Sequence, residues 1–296
     1  MSAKSHAKIV EEASAWWSTA IIDIQPGKIH VRGYPIEELI GSLSFPEMIW
    51  LMLRGETPVT AQARLFEAAL VAAVDHGPQA PSIAIARMAV TCGLSVNGAM
   101  ASAINALDDI HGGAGQQCME LLQRIAARST NGEDTIDAVE DALEEFTFAH
   151  GKIIPGYGHR FHPIDPRAPK LLALVREAQA AGVCSGRYGR AAELIEESLA
   201  RRTGKRVPMN IDGATAVVYS ELGFAPPLGR GLFILSRSVG ILAHAIEQTD
   251  QGGRIKGPMP TSIPYQYTGA PPRHLISRQK SKPMDAAAVA RGRRDR

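Results

Sequence analysis

Hydrophobic residues recur along most of the chain at the three- and four-residue spacing of amphipathic helices. Ser44 and Glu47 precede an apolar run in the capping-box pattern that starts a helix, with Pro46 in the first turn. The same spacing predicts further helices at about residues 60–75, 82–92, 97–109, 113–127, 135–148, 167–181, 190–202, 213–222 and 228–248. The chain is therefore predicted to have an all-α fold.

Strand-forming patterns are confined to two short segments near the N-terminus. Residues 21–24 and 28–32 flank Pro26 and Gly27, which predicts one small β-hairpin. A helical chain of this kind is incompatible with a Rossmann fold or a TIM barrel. No segment matches a P-loop or a Gly-x-Gly-x-x-Gly turn after a strand, so nothing in the sequence indicates nucleotide phosphate chemistry.

The composition agrees with a large hydrophobic core. The 296 residues are 45% hydrophobic, which predicts one large domain or two small ones that share a core. Basic residues are concentrated after Ser277, so residues 278–296 are predicted to form a disordered basic tail. Without that tail the chain has a slight acidic excess, which argues against a body that binds nucleic acid.

The cysteines and the apolar stretches indicate the compartment. Cys92, Cys118 and Cys184 are scattered and lack Cys-x-x-Cys spacing, as expected in a reducing compartment. The N-terminal residues lack the apolar core of a signal peptide, and the longest apolar stretch contains Arg230 and Arg237. We therefore expect a soluble, cytoplasmic protein that does not span a membrane.

Three segments interrupt the helical pattern, and each carries an acid–base side chain. In the first, His111 is followed by Gly112, Gly113 and Gly115 at the start of a predicted helix. Glycines at this position leave backbone N–H groups uncovered and let a ligand approach closely. The alternative is a plain glycine-rich turn with a histidine at the surface.

The second segment runs from Pro155 through His159 and His162 to Arg167. Its glycines and prolines predict a long ordered loop of the kind that holds functional groups, with Arg167 placed to grip a carboxylate. Alternatively, Asp165 to Arg167 form only a turn and a helix start. His159 and His162 could also suggest a metal pair, but no third ligand lies at metal-site spacing, so no metal site is predicted.

The third segment, around Asn210 and Asp212, precedes an apolar helix. One of the two residues is expected to be the N-cap, and an aspartate there could also act as a general base. Arg237 lies on an otherwise apolar helix, with His244 on the same face, and a buried arginine needs an anion. His76 follows Asp75 at a predicted helix end, where it could simply be a C-cap.

Together these segments resemble the citrate synthase superfamily, and within it citryl-CoA lyases more closely, including the citryl-CoA lyase module of ATP citrate lyase. The resemblance covers about residues 19–264. It is carried by TAIIDIQPGKIHVRGYPIEELIG, SFPEMIWLMLRGETP, VDHGPQAPSIAIAR, HGGAG, GYGHR with DPR, NID and SRSVG. Each motif is weak alone, but their order and intervals make the resemblance specific.

The resemblance implies a citrate synthase-like helical homodimer, or a higher even oligomer, with an active site between a large and a small domain. Residues 1–150 and 223–277 would form the large domain, and residues 151–222 the small one. It implies small-molecule substrates, an acyl-CoA and a 2-keto dicarboxylate, and no nucleic-acid or membrane partner. No metal or redox cofactor is implied, because a thioester already acidifies its α-carbon and coenzyme A enters as substrate.

The resemblance also assigns roles to the residues singled out above. Asp212 would exchange the methyl proton of acetyl-CoA, His111 would donate a hydrogen bond to the thioester carbonyl, and His159 would exchange a proton with the ketone or tertiary hydroxyl oxygen. The dicarboxylate would be held by His76, Arg167 and Arg237. Coenzyme A would rest on the backbone near Gly112, Gly113, Ala114 and Gly115, and near Ile154, Pro155, Gly156, Tyr157 and Gly158.

One departure concerns the choice of reaction. Citrate synthases place a further arginine near the C-terminus that reaches the partner subunit's site, and here Gly257 stands in its place. Lys256 or Arg254 could substitute, although lysine cannot offer a two-pronged contact. We therefore expect cleavage of citryl-CoA, or a close 3-hydroxy-3-carboxyacyl-CoA, to acetyl-CoA and oxaloacetate. The alternative is citrate or 2-methylcitrate synthesis.

Two further hypotheses belong to other classes of protein. A non-catalytic helical dimer would have lost His111, His159 or Asp212, and all three are present. A metal-dependent hydrolase would use the same histidines as ligands and would contain stoichiometric metal.

Overall fold

A computed structural model describes residues 3–130, 135–159 and 162–274, so the predicted tail at 278–296 lies outside the described residues. The chain divides into two compact units between Pro258 and Met259. The helices of the first unit are α1 (Ala3–Trp16), α2 (Ile36–Leu39), α3 (Phe45–Arg54), α4 (Thr60–Ala73), α5 (Pro81–Thr91), α6 (Val96–Ile104), α7 (Ala114–Thr130), α8 (Thr135–His150), α9 (Arg167–Ala180), α10 (Arg187–Thr203), α11 (Ile211–Glu221) and α12 (Pro226–Gln251). The predicted all-α architecture is confirmed.

A small antiparallel sheet lies between α1 and α2. Its strands are β1 (Ile22–Gln25), β2 (Lys28–Val31) and β3 (Tyr34–Pro35), in the order β1-β2-β3. The predicted hairpin is present, with Gln25 opposite Lys28 across the turn. The third strand was not predicted, because two residues are too few to show the alternation that identifies a strand.

The helix starts followed their local signals more closely than the helix ends did. At α3, the Ser44 backbone N–H donates to Glu47 Oε2 at 2.8 Å, which confirms the capping box. The predicted helix at 97–109 is wrong at its C-terminal end, since α6 ends at Ile104 and Asp108 pairs with Gly112 in a tight turn. Helix α1 was not predicted.

The loop after α4 also begins earlier than expected. The predicted helix extended to Asp75, but α4 ends at Ala73, so Asp75 and His76 belong to a loop. The positive φ of Gly77 and the following Pro78 force the chain away from helical geometry. His76 is thereby placed on a loop rather than at a helix C-cap.

The main hydrophobic core is formed by α3, α4 and the helices from α7 to α11, together with Leu232 in the N-terminal half of α12. Trp50 packs edge-on against Phe66 and Phe224, with ring centroids 5.6 and 5.1 Å apart. A second, alanine-rich cluster joins α5, α6 and the C-terminal half of α12, where Ile83, Ala103 and Ile241 are fully buried. Helix α12 therefore connects the two clusters, and Arg237 lies midway along it.

Helix α11 runs through the centre of the main core. Ile211 and every residue from Gly213 to Ser220 are buried, and the helix packs against α7 and α9. Asp212 lies between buried residues in the first turn of this helix, so the packing of α11 fixes its position. The main core contains residues on both sides of Gly151 and Leu222, and the predicted division into a large and a small domain stays a prediction.

Across the described residues, no helix is both long enough and apolar enough to cross a membrane.

Candidate active site

A cleft of about 870 Å³ opens between the loop after α4, the turn before α7 and the loop before α9. Four of the predicted site residues line it: His76, His111, His159 and Arg167. The rest of the wall is formed by His162, Ile110, Gln79, Gly77, Ala80 and three prolines. Residues from three distant parts of the sequence therefore share one cavity.

His76 and His159 face each other in this cleft, with ring centroids 5.4 Å apart and planes at 64°. Burial lowers the pKa of His76, and the positive charges of Arg167 and Arg237 lower it further. The His76 ring is therefore neutral at pH 7 and offers one N–H donor and one acceptor.

His111 is held by the first turn of α5. The backbone N–H of Ser82 donates to His111 Nε2 at 3.1 Å, and the Ser82 hydroxyl lies 3.0 Å from the same nitrogen. Because Nε2 accepts a hydrogen bond from an amide, the proton of the neutral ring is on Nδ1. Burial lowers the pKa of His111, as does the charge of Arg237, so the neutral ring is favoured.

His159 is oriented by a hydrogen bond from His162. The backbone N–H of His162 donates to His159 Nδ1 at 3.0 Å, and the two rings lie 4.6 Å apart. Burial lowers the pKa of His159; Asp165 acts in the opposite direction, while His162 and Arg167 add to the lowering. The neutral His159 ring therefore carries its proton on Nε2.

Asp212 is the second residue of α11. The sequence left open whether Asn210 or Asp212 caps this helix, and the structure assigns the cap to Asn210. Its Oδ1 accepts hydrogen bonds from the backbone N–H groups of Asp212, at 2.9 Å, and Gly213, at 3.3 Å. Burial raises the pKa of Asp212, although the charges of Arg237 and Arg167 oppose that rise. The Asp212 carboxylate is thus not needed as a cap.

Arg237 is a buried cation with 4% exposure. Its Nε donates to the Ala73 carbonyl at 3.2 Å, and its guanidinium carbon lies 4.9 Å from the centre of the Phe233 ring. Among the described residues, no carboxylate forms an ion pair with Arg237. A buried arginine without an ion-pair partner is a ready receptor for a ligand carboxylate.

Arg167 differs from Arg237 because it already has a partner. Its Nε and Nη2 donate to the two carboxylate oxygens of Asp165, both at 2.9 Å, and the Asp165 side chain is fully buried. Asp165 to Arg167 form the predicted turn and helix start, and Arg167 also lines the cleft. A contact between Arg167 and a substrate carboxylate stays a prediction.

The loop before His159 is pinned to the start of α11. Asn210 donates from its backbone N–H to the Gly156 carbonyl at 2.9 Å and from Nδ2 to the Gly158 carbonyl at 2.7 Å. Gly156 has a positive φ of 85°, and a Cβ there would lie 2.7 Å from Gly213 Cα. Only glycine permits this close approach.

The region that contains these residues matches a known protein family. The family model described as "Citrate synthase, C-terminal domain" matches residues 11–67 and 52–258. The chain belongs to the citrate synthase family. The citrate synthase of Haloferax volcanii is 31% identical over 228 residues, and that of Deinococcus radiodurans is 32% identical over 228 residues. Each alignment covers 76% of this chain, but only 57% and 56% of those relatives, so the chain spans little more than half their length.

Solved structures give a second comparison. The citryl-CoA lyase of Hydrogenobacter thermophilus has a TM-score of 0.76 and 35% identity, and the match covers 88% of this chain and 97% of that one. The ATP citrate lyase of Methanosaeta concilii, in complex with (3S)-citryl-CoA, has a TM-score of 0.74 at 20% identity, covering 91% of this chain and 45% of that one. The second likeness shows the fold alone. The predicted family and fold are confirmed.

The glycine-rich turn of this family member packs against neighbouring backbone. A Cβ at Gly113 would lie 2.5 Å from the Asp109 carbonyl oxygen, and one at Gly112 would lie 3.1 Å from the Phe233 ring. Gly115 lies beside Asp212, with 3.8 Å from its would-be Cβ to the Asp212 carbonyl oxygen. The predicted coenzyme A contact of Gly112 to Gly115, including Ala114, stays a prediction.

The second predicted coenzyme A segment is mostly inside the protein. Ile154, Pro155, Gly156 and Tyr157 are buried, and the Tyr157 hydroxyl donates to the Ala192 carbonyl at 2.9 Å. Their side chains therefore hold the loop in place, and only the backbone of this segment and the half-buried Gly158 remain for a ligand. A contact between this segment and coenzyme A likewise stays a prediction.

Lys256 and Arg254 do not line the cleft of their own chain. Lys256 donates from its backbone N–H to Thr91 Oγ1 at 2.9 Å and from Nζ to Gln248 Oε1 at 3.1 Å, at the C-terminal end of α5. Arg254 is exposed nearby. Their role as a substitute for the family's C-terminal arginine stays a prediction.

Two positioning groups were missed in the sequence. Ser82 holds His111, and Asp165 holds Arg167. Asn210, one of the two expected caps, caps α11. His244, expected on the same face of α12 as Arg237, contacts Asp75 at 3.4 Å and Arg87 at 3.1 Å.

No three His, Cys, Asp or Glu side chains are grouped so as to hold a metal ion in the part of the chain that the structure describes.

Proposed function

We propose that this protein cleaves citryl-CoA, or a close 3-hydroxy-3-carboxyacyl-CoA, to an acyl-CoA and a 2-keto acid. The observation that carries the proposal is the likeness to a citryl-CoA lyase over 97% of that chain at 35% identity. Cleavage asks less of the site than synthesis does, because it breaks one C–C bond and leaves the thioester intact.

His111 is proposed to stabilise the enolate that forms when the C–C bond breaks. Since Ser82 occupies Nε2, the Nδ1–H group is the donor available to the thioester carbonyl oxygen. A neutral donor matches the enolate oxygen better than an imidazolium, which would give up its proton. The amide at the start of α5 and the nearby Arg237 both disfavour that imidazolium.

Asp212 is proposed to supply the proton that converts the enolate to the acyl-CoA. Burial raises the pKa of this carboxyl group, which brings its acid form closer to the working pH. In the reverse direction the same carboxylate removes a proton from the acyl α-carbon. The remaining proton belongs to the tertiary hydroxyl of the substrate and passes to His159 as the C–C electron pair moves onto the thioester.

Arg237 and His76 are proposed to hold the dicarboxylate half of the substrate, together with Arg167. Arg237 has no ion-pair partner among the described residues, so a substrate carboxylate would complete its shell. His76 sits beside both arginines, whose charges act on its ring. Three donors around one small anion would fix the keto acid in a single orientation.

One observation favours the alternative, citrate or 2-methylcitrate synthesis. With Nδ1 held by the His162 amide, the neutral His159 ring carries its proton on Nε2, which is the form that donates to a ketone oxygen. Cleavage needs the opposite form, with an unprotonated Nε2 that accepts the hydroxyl proton. The 159–162 contact must therefore open, so that the ring proton can move from Nε2 to Nδ1, before cleavage begins.

The deciding experiment incubates the purified protein with citryl-CoA and follows oxaloacetate and free thiol separately. A lyase releases oxaloacetate and acetyl-CoA without free thiol, whereas thioester hydrolysis releases thiol without oxaloacetate. Asp212→Asn is the control for cleavage by a contaminant. Thiol release from acetyl-CoA plus oxaloacetate at roughly tens of turnovers per second, typical of a dedicated enzyme, would instead establish the synthase.

We propose further that the active unit is a symmetric pair. Leu235, Val239, Leu242 and Ile246 form one stripe along α12, and each is at least 40% exposed. A stripe of large apolar side chains on a long helix is typical of a surface that another copy covers.

A further inference from the structure

Asp165 is a buried carboxylate between the two segments that carry His159 and Asp212. Besides its two bonds to the Arg167 side chain, Oδ1 accepts from the Arg167 backbone N–H at 3.1 Å. Oδ2 accepts from the backbone N–H of Ile211, the first residue of α11, at 3.0 Å. Burial alone would raise the pKa of Asp165, but the hydrogen bonds from Arg167 hold it below its ordinary value. Asp165 is therefore ionised and fully occupied.

The contact with Asp165 decides which edge of Arg167 a ligand can reach. A guanidinium has two edges that can each take a carboxylate: Nε with Nη2, and Nη1 with Nη2. Asp165 takes the first edge. In the part of the chain that the structure describes, the second edge has one long contact of 3.4 Å, from Nη1 to the Ala72 carbonyl. Arg167 thus has its Nη1–Nη2 edge left for an anion in the cleft that it lines.

The contact with Ile211 adds a second constraint. Ile211 is buried and directly precedes Asp212, so a hydrogen bond to its amide sets where α11 begins. The same carboxylate thus fixes the arginine edge and the start of the helix that carries the proposed acid–base residue. A displacement of the Asp165 carboxylate would therefore shift both Arg167 and the start of α11.

We propose that Asp165 is a positioning residue: it orients Arg167 so that the Nη1–Nη2 edge faces the carboxylate of the keto-acid half of the substrate. Through the Ile211 amide it also sets the position of Asp212 relative to that carboxylate. The inference rests on the proposed function for the identity of that anion. This positioning role and a purely electrostatic role of Asp165 predict opposite changes in the affinity for the substrate dianion. Removing one negative charge from the site strengthens binding of a dianion if charge alone matters, and weakens it if alignment matters.

The test measures binding of oxaloacetate by calorimetry to the full chain and to Asp165→Asn, which keeps the shape but cannot take both arginine nitrogens and the Ile211 amide as a carboxylate does. We expect the dissociation constant for oxaloacetate to rise about 10- to 100-fold, the usual effect of a misplaced contact. When Arg167 is already replaced by alanine, Asp165→Asn should change the dissociation constant for oxaloacetate less than about twofold, because Asp165 acts through Arg167.

The matched control is Glu221→Gln. Glu221 also accepts backbone N–H groups at a helix start, those of Gly186 and Tyr188 before and in α10, at 2.9 and 2.8 Å. It lies outside the cleft, so its loss should lower the melting temperature while oxaloacetate binding stays within about twofold. If Asp165→Asn does not fold, Asp165→Ser, which still offers an acceptor to the Ile211 amide, takes its place.

Each outcome separates the inference from the proposed function. If the unmodified protein does not bind oxaloacetate, the proposed function fails. If it binds and Asp165→Asn binds equally or more tightly, the positioning role of Asp165 is overturned while the function stands. An equal loss in the presence and absence of Arg167 would also overturn it, because Asp165 would then act on the fold rather than on the arginine.

Discussion

The backbone N–H of Ser82 donates a hydrogen bond to Nε2 of His111, at 3.1 Å. The two residues are 29 positions apart in the sequence, and the amide belongs to the first turn of α5 rather than to the helix that follows His111. The bond determines the tautomer of the ring, while burial and the charge of Arg237 lower its pKa and favour the neutral form. It makes His111 a donor through Nδ1 before any substrate is present.

His111→Gln should lower turnover by about 10²- to 10³-fold, the typical cost of one oxyanion donor. Because burial lowers the pKa of His111 below 6.5, we expect its protonation to reduce turnover only below pH 6.5. Steady-state turnover across the pH range measures both effects. Ser82→Ala keeps the backbone amide and should retain turnover within a few-fold; a loss as large as that of His111→Gln would show that the hydroxyl sets the ring.

Asp212→Asn should lower turnover by at least about 10²-fold without lowering the melting temperature. Stability is retained because Asn210, not Asp212, caps α11. Thermal unfolding and a cleavage assay on the same preparation provide the comparison. Asn210→Ala is the contrasting variant and should destabilise the protein by about 1 kcal/mol through loss of the cap. Full activity in Asp212→Asn would remove Asp212 from the chemistry.

Arg237→Ala should weaken oxaloacetate binding by about 2–5 kcal/mol, the range for loss of a buried charge contact. Affinity for coenzyme A should change little, since the polar and ring contacts of Arg237 with described residues are to Ala73 and Phe233, and its charge acts on His76. Titration calorimetry with each ligand gives the two values. Arg128→Ala is the matched control, because Arg128 pairs with Glu145 on a surface away from the cleft. Equal losses for both ligands would mean that Arg237 supports the fold.

Val239→Glu should convert the active pair to monomers. A charge in the middle of the exposed α12 stripe would be buried against the second copy without a partner. Light scattering coupled to size exclusion measures the mass directly. Val71→Glu introduces the same charge at an exposed valine on α4 and should leave the mass unchanged. A fully active monomer of the unmodified protein would contradict the proposed pair.

Glu140→Gln should destabilise the protein at pH 7 but not at strongly acidic pH. Burial would raise the pKa of Glu140, but the Ser198 hydroxyl beside it and the hydrogen bonds from Arg202 and Arg201 hold its pKa at about 2. A lowered pKa in the folded state contributes stability above 4.5, which is lost as the pH falls toward 2. Because the side chain is 34% exposed, we expect no more than about 1 kcal/mol.

Urea unfolding at pH 7 and near pH 2 tests this dependence. The difference between Glu140→Gln and the unmodified protein should shrink at the lower pH, if the fold persists there. Glu193→Gln removes an exposed carboxylate from α10 that also pairs with arginines, and should show a smaller pH-dependent difference. A constant difference across pH would attribute the effect to packing instead.

Much of the fold was determined by local sequence. Periodic apolar positions predicted the long helices, and Ser44 with Glu47 predicted the start of α3, because both signals act within a few residues. Helix ends were less certain, as at Ile104 and Ala73, because turns that end a helix depend on contacts with distant residues. The two-residue strand β3 exists only through its pairing with β2.

The sequence by itself also determined which chemistry-bearing residues are present and in which order, and that sufficed to indicate the family. Only the tertiary structure decided the tautomer, the charge state and the orientation of these residues. A hydrogen bond from an amide 29 residues away gave His111 its tautomer, burial shifted the pKa of Asp212, and Asp165 selected one edge of Arg167. Charge state and orientation depend on the surrounding protein, because desolvation and hydrogen-bond partners come from segments that meet only when the chain folds.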